Sequence, residues 1–165
     1  MSVRARDLGP RLRAIAGGVR ERADRVHRAA AIEALNALAV STPVDTGRLR
    51  SGWDVAVDRD SDFVPPTGVD AGVGAIVARG TAAISQAAPL RRITISNNVE
   101  YAATIETGAM QPANPGPSKD PRPGRTGAVF VSGGYLTRAP QGLLNFAIVA
   151  VERVVRELEA AGRST

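Results

Sequence analysis

The feature that most constrains this sequence is a long helical pattern at its N-terminal end. Apolar side chains recur mostly at steps of three and four over residues 7–41, which predicts an amphipathic helix. Two consecutive glycines starting at Gly17 weaken that pattern, so we expect a break or kink there. Residues 19–41 are then the firmer helix, and residues 1–18 a flexible or kinked one. The helix ends before Pro43, because proline disfavours a helical conformation in the residue before it.

A second helical pattern lies near the C-terminal end. Pro140 stands where a first helical turn tolerates proline. The apolar residues that follow step by four and three over roughly 30 Å of predicted helix. This stripe, which we predict to be a candidate subunit interface, consists of Leu144, Ile148, Val151, Val155 and Leu158.

Between the two helices the sequence predicts a small antiparallel sheet. Alternating apolar and polar residues predict one strand over 49–58 and another over 90–96. The spacing over 70–87 favours an intervening helix, and residues 99–106 favour a short helical segment closed by Gly108. The layout predicts an α+β fold.

A proline- and glycine-rich loop precedes the last helix. Residues 108–128 hold five prolines and four glycines, a composition that cannot pack a core. We therefore predict an extended, mobile loop over 108–134, with a short strand at 129–131 as its one regular element. The length suits a single domain over residues 1–165.

Composition excludes several classes of chemistry. The chain has no cysteine, which excludes a disulfide scaffold, a thiol nucleophile and cysteine-ligated metal sites. His27 is the one histidine, which argues against a histidine-ligated metal centre. No apolar run has the length of a membrane span, and the N-terminus lacks the apolar block of a secretory signal. We predict no enzymatic activity, cofactor or metal.

The basic charge has two interpretations. The formal net charge is +5, yet Lys119 is the one lysine among 21 basic residues. This arginine bias is typical of a GC-rich genome. Eight arginines within residues 1–28, against three acids, leave a DNA-binding module open as an alternative. The absence of aromatic residues there argues against single-strand or RNA recognition.

One tripeptide suggests a different alternative. Asp45-Thr46-Gly47 spells the aspartic-protease triplet, in which two carboxylates share a proton. Arg48 and Arg50 follow at once, and they favour the charged carboxylate and oppose a shared proton. We interpret Asp45 as a turn residue and keep a dimeric protease as the weakest hypothesis.

Three motifs carry a resemblance to a known family. Residues 41–53 read STPVDTGRLRSGW, residues 95–108 read ISNNVEYAATIETG, and residues 138–143 read RAPQGL. They resemble the TPVDTGRLR-x-x-W, NN-x-x-YA-x-x-IE-x-G and QAP-x-G-M motifs of neck and tail-completion proteins of long-tailed bacteriophages. That family includes the minor tail protein Z type and occurs in prophages and gene transfer agents. In order and spacing the resemblance covers residues 20–158, with a longer proline-rich segment at 108–134 than is usual.

The resemblance implies a structural virion protein at the head–tail junction. Such a protein completes or caps the tail and joins it to the head, as part of a hexameric ring around the DNA channel. A tail terminator or head-closure protein of the same neck is the alternative. The implied partners are further copies of the chain, neighbouring head-closure, tail-terminator, tail-tube or tape-measure proteins, and non-specifically the DNA in the channel. The implied location is the virion, after assembly from the host cytoplasm.

The resemblance also assigns shape-determining, non-catalytic roles to motif residues. The first motif contributes Pro43, Asp45, Thr46, Gly47, Arg48 and Trp53. The second contributes Asn97, Asn98, Tyr101, Glu106 and Gly108. The third contributes Pro140 and Gly142.

Overall fold

A computed structural model describes residues 5–42, 44, 47–107 and 142–161 of the chain. The elements are α1 (Ala5–Ser41), α2 (Arg48–Ser51), β1 (Trp53–Val57), α3 (Gly72–Gln86), β2 (Ile93–Asn97), α4 (Ala102–Thr107) and α5 (Leu143–Ala161). They confirm the predicted α+β class, with a long helix at each end and a small antiparallel sheet with an intervening helix. Several predictions lie outside the described residues: Pro43, Asp45, Thr46, Gly108, Pro140, the loop over 108–134 and its strand at 129–131.

The N-terminal helix is continuous. α1 contains 37 residues, a length of about 55 Å at the usual helical rise. It passes without interruption through Gly17, so the predicted break was wrong. Each of the two glycines weakens a helix by about 1 kcal/mol, which is too little to interrupt one of this length. Flexibility or a kink in residues 1–18 stays a prediction.

The sheet has two antiparallel strands. β1 pairs with β2 so that Trp53 lies opposite Asn97 and Val57 opposite Ile93. The predicted first strand was too long at its start, because Arg48–Ser51 form the helical turn α2. The backbone amide of Ser51 donates to the carbonyl of Gly47 at 2.9 Å, which closes this turn before the strand begins.

The core lies where the second half of α1 meets α3 and the sheet. Side chains from the second half of α1, from α2 to α4, from both strands and from the start of α5 form it or pack against it. The buried cluster consists of Leu35, Leu38, Ala39, Leu49, Trp53, Val55, Ile76, Ile84, Val99 and Leu143. None of the helices in the described ranges combines the length and apolar character needed to cross a bilayer.

α5 packs antiparallel along α1. Leu143 begins α5 inside the core, and Arg153 further along pairs with Glu33. Near the end of α5, the carbonyl of Leu158 accepts a hydrogen bond from Arg22 Nη2 at 3.4 Å. Residues further along α5 therefore contact residues nearer the N-terminal end of α1.

An arginine fixes the end of α3 to α1. The Arg28 guanidinium donates to the carbonyls of Ile84 and Ala87, the latter at 2.7 Å. A cation at a helix C-terminus satisfies free carbonyls and interacts favourably with the helix dipole. Asp24 orients the guanidinium through a 2.7 Å ion pair and accepts the Leu90 amide at 2.9 Å. The Arg28 bond, followed by the Leu90 amide, lowers the pKa of Asp24.

Close packing of α3 on α1 depends on a missing side chain at Gly80. A Cβ there would collide with Leu35 and lie 2.9 Å from Val55 Cγ2. We expect Gly80→Ala to lower the free energy of unfolding by about 1–3 kcal/mol, because overpacking outweighs the gain in helix propensity. Gly74→Ala, in the same helix with open space around it, is expected to be neutral or stabilising. Urea unfolding of both variants measures the difference, and an equal effect would contradict the packing argument.

Candidate functional site

The first two motifs fold against each other. Asn97 Nδ2 donates to the carbonyl of Leu49 at 2.7 Å, and Asn97 Oδ1 accepts the Val99 amide at 3.2 Å. Arg48 forms an ion pair of 2.9 Å with Glu100. The backbone amide of Glu100 and then Arg48 lower the pKa of the Glu100 carboxyl. The turn after β2 therefore holds the turn before β1.

Trp53 joins the first strand to the end of the first helix. Its side chain is 6% exposed, and its Nε1 donates to Thr42 Oγ1 at 2.7 Å. The Thr42 hydroxyl in turn donates to the carbonyl of Leu38 at 2.5 Å. This chain of hydrogen bonds satisfies the buried indole and hydroxyl together, as buried polar groups require.

Gly47 allows a close crossing between the first motif and the start of α3. Its φ is +76°, and a Cβ there would lie 2.8 Å from Asp70 Cα. Asp70 is held by Arg50, whose Nε lies 3.1 Å from Oδ1, and it accepts the Gly72 amide at 3.0 Å. The Arg50 bond, then the Gly72 amide, lowers the pKa of Asp70.

Residues that the sequence analysis missed complete this crossing. Ser51 Oγ donates to the carbonyl of Val69 at 2.9 Å and accepts the Ala71 amide at 2.8 Å. Ser51 lies inside the first motif at a position the family pattern leaves open. Asp70 precedes a helix start, which is the sequence signal for an N-terminal cap and could have identified it.

The second and third motifs also meet. The Glu106 carboxylate accepts the backbone amide of Leu143 at 2.7 Å and that of Leu144 at 3.2 Å. Gly142 has φ +87°, and a Cβ there would lie 2.8 Å from Glu106 Cδ. A carboxylate at a helix N-terminus satisfies free amides and complements the helix dipole. Glu106 thus holds the start of α5 beside the end of α4. The described chain stops at Thr107, the last residue of α4.

We expect Glu106→Gln to lower the free energy of unfolding by about 1–2 kcal/mol, since the amide keeps an acceptor but loses the charge. Glu157→Gln removes the same charge from an exposed position of α5 and is the matched control. Urea unfolding followed by circular dichroism measures both. Equal stability of the two variants would show that Glu106 does not act as a cap.

The remaining motif residues support the loop after β1. Asn98 Nδ2 donates to the carbonyls of Ser61 at 2.7 Å and Phe63 at 3.3 Å. The Arg79 guanidinium lies 4.6 Å from the centre of the Phe63 ring. Tyr101 is half-buried against the core cluster. The described motif side chains thus contact backbone or core, and the described part of the chain holds no group of three or more possible metal ligands.

Comparison with known proteins gives one match. The family model described as "Bacteriophage HK97-gp10, putative tail-component" matches residues 6–108, from α1 through α4. This chain belongs to that family. Membership confirms the predicted resemblance and identifies a structural phage tail component. No curated protein and no solved structure matches the chain.

The predicted interface stripe of this tail component differs from the face that α5 buries. Leu143 and Ala150 are the buried residues of α5. In the stripe, Leu144 is 48% exposed and Ile148 is 56% exposed. The rest of the stripe, Val151, Val155 and Leu158, is half-buried beside α1.

The first half of α1 forms a projecting arm, which we define as residues 8–23. Every side chain in it is exposed. Its apolar residues keep helical spacing and are 52–63% exposed: Leu8, Leu12, Ile15 and Val19. Arg11, Arg13 and Arg20 lie within residues 8–20, where no acid is present. The arm is therefore a basic amphipathic helix that α5 contacts only near its end, where Arg22 bonds to Leu158 and Val19 lines a cleft with Val155.

A second apolar surface lies on the other side of α5. An open groove of about 1020 Å³ separates the end of α1 from the start of α5. Its large exposed apolar side chains, which we call the groove patch, are Val40, Val44, Phe146 and Val149. The described residues of this tail component thus present three exposed apolar surfaces: the arm, the exposed stripe and the groove patch.

Proposed function

We propose that this chain is a subunit of the phage neck. It lies at the head–tail junction, completes or caps the tail, and joins the tail to the head as part of a hexameric ring around the DNA channel. The observation that carries the proposal is the family match over residues 6–108, which covers both motif turns. Its role is structural, without catalysis, and its location is the virion.

The exposed apolar surfaces support assembly. Leu144 and Ile148 lie on one side of α5, whereas Phe146 and Val149 lie on the other. Exposed apolar patches on a small protein mark interaction sites. Different surfaces on one subunit suit heterologous contacts, which close into a ring when the rotation between subunits allows it.

The motif contacts support a shape-determining role for the motif residues. Arg48, Trp53 and Asn97 bond within the chain, and Gly47 and Gly142 provide close crossings. In this proposal they fix how the sheet and α5 are presented to neighbouring subunits. Tail-tube, tape-measure, terminator and head-closure proteins are the proposed partners.

Deletion of the gene tests the proposal directly. Lysates of the deletion phage should contain filled heads and unattached tails, visible by electron microscopy, and the intact gene supplied in trans should restore joined particles. Mass spectrometry should detect the chain in purified virions. Intact infectious particles without the gene would contradict the proposal.

The same lysates separate the neck roles. A tail terminator stops polymerisation of the tail tube, so its loss should give tails of uncontrolled length. A head-closure protein retains packaged DNA, so its loss should give emptied heads. Tails of normal length together with filled heads support tail completion.

A DNA-binding module is the second candidate, favoured by the excess of arginines on the arm, where Arg11, Arg13, Arg20 and Arg22 outnumber the single acid Glu21. Phosphate contacts make such binding fall steeply with salt. Retardation of duplex DNA at low salt, lost in a variant with all four arginines replaced by glutamine, would support it. No retardation at low salt would eliminate it.

A further inference from the structure

Two apolar stripes on this chain have the same spacing, the arm stripe exposed throughout and the α5 stripe exposed at Leu144 and Ile148. Steps of four, three and four residues define each, which is the heptad spacing that packs helices at shallow angles. The arm stripe consists of Leu8, Leu12, Ile15 and Val19. The α5 stripe consists of Leu144, Ile148, Val151 and Val155. The two stripes match in length and in the size of their side chains.

Val19 and Val155 line one cleft between α1 and α5, but the rest of the arm stripe does not meet the exposed start of the α5 stripe within the described part of one subunit. α5 starts in the core at Leu143 and reaches the level of Arg22 only at Leu158. The arm continues along α1 beyond that point, while Leu144 and Ile148 lie at the opposite end of α5 and face outward. The described residues of one subunit thus leave Leu8, Leu12 and Ile15, and also Leu144 and Ile148, exposed, and a second copy of the chain can cover both sets.

The charges beside the two stripes are complementary. Arg11 flanks the arm stripe, whereas Arg13 and Arg20 lie on other faces of the helix. Glu152 and Glu159 lie seven residues apart along one edge of the α5 stripe, and both are exposed. Glu152 pairs with Arg156 at 3.3 Å, but exposed pairs of this kind contribute little and can exchange partners.

We propose that the arm of one subunit docks on the α5 stripe of a neighbouring copy. The contact joins two different surfaces, so each subunit offers one arm and receives one, as a closed ring requires. This inference rests on the proposed ring and names the surfaces that form it.

Ring geometry sets the direction of the docked helices. In a six-fold ring, neighbouring copies differ by a rotation of about 60°, so equivalent helices stay within that angle. Because α5 runs antiparallel to α1 within a subunit, the arm lies antiparallel to the α5 of its neighbour. Matching the stripes in this direction places Leu8 near Val155, Ile15 near Ile148, and Val19 near Leu144.

The absence of cysteine makes this contact directly testable by disulfide cross-linking of the full chain. A variant carrying both Ile15→Cys and Ile148→Cys should form a ladder of linked multimers under oxidising conditions. A mixture of the two single variants should stop at dimers, and neither single variant should cross-link alone. Ala14→Cys combined with Ile148→Cys is the matched control, because Ala14 is exposed on another face of the arm.

A substitution on the arm gives a second readout. Ile15→Asp should weaken self-association more than tenfold in sedimentation experiments, and Ala14→Asp should leave it nearly unchanged. Both residues are exposed, so helical content and the unfolding midpoint should stay as in the parent protein. Equal self-association of the two variants would overturn the proposal.

The outcomes separate this inference from the proposed function. Particles that join normally but show no cross-link between Ile15→Cys and Ile148→Cys overturn the docking contact and leave the neck role standing. Cross-linking of Ile15→Cys to itself shows a symmetric contact between arms and also overturns it. DNA retardation that needs the arm arginines, without any ladder, assigns the arm to DNA. A ladder from the double variant supports the docking contact even if deletion of the gene leaves particles intact.

Discussion

Trp53→Ala is expected to lower the free energy of unfolding by about 3–5 kcal/mol. The indole is 6% exposed, packs in the core cluster and donates to Thr42. Its removal leaves a large cavity at the junction of α1 and β1 and takes away the hydrogen bond that the Thr42 hydroxyl accepts. Domains typically have total stabilities of about 5–15 kcal/mol, so the variant should lose a large share of its stability.

Circular dichroism during urea unfolding measures this loss without the tryptophan signal. Trp53→Phe is the matched control, because it keeps an aromatic ring in the core and removes the hydrogen bond. Trp53→Phe should lower the free energy of unfolding by about 1–2 kcal/mol. A loss under 1 kcal/mol for Trp53→Ala would show that the indole is not a core residue.

Gly47→Ala is expected to lower the free energy of unfolding by about 2–5 kcal/mol. A left-handed backbone conformation costs an alanine about 1–2 kcal/mol, and overpacking adds about 1–3 kcal/mol. The overpacking arises because the new methyl group would collide with Asp70, including its backbone at 2.8 Å. Arg50 and the Gly72 amide hold Asp70 in place, so it cannot move aside easily.

Gly68→Ala separates the two contributions. Gly68 has φ +78°, nearly the same as Gly47, but open space surrounds its Cβ position. In this control the free energy of unfolding should fall only by the backbone contribution of about 1–2 kcal/mol. The two losses are compared by urea unfolding, and equal values would rule out the close crossing at Asp70.

The long elements of this fold could be predicted from sequence because their signals are local. Periodicity identified α1 and α5, and Pro43 marked the end of the first helix within a few residues. The prediction of a break at Gly17 was wrong, because the low helix propensity of glycine is too weak an effect to interrupt a long helix. Alternation located β1 and β2, although α2 took the first residues assigned to a strand.

The contacts between motifs could not be predicted in this way. Glu106 and Gly142 are 36 positions apart, and nothing in their local sequence indicates that they touch. The same is true of Gly47 and Asp70. Such contacts depend on how the helices and the sheet pack, which periodicity does not report.

The stripe on α5 shows a related limit. Its first half is apolar nearly all round, with Asn145 as the one polar residue before Glu152. Periodicity therefore finds an apolar stripe but not the side that α1 covers. The structure buries Leu143 and Ala150 and leaves Ile148 exposed.

The bond from Glu106 to the start of α5 has a consequence for how this protein can diversify. The described chain ends at Thr107, next to Glu106, and resumes at Gly142. Because Glu106 holds these two ends together, the number of residues that join them can change while the bond from Glu106 to the start of α5 is kept, and doubling the length of a closed segment costs only about 0.6 kcal/mol. Phage lineages could therefore vary the length of this connection, and engineers could insert a foreign peptide between the two ends.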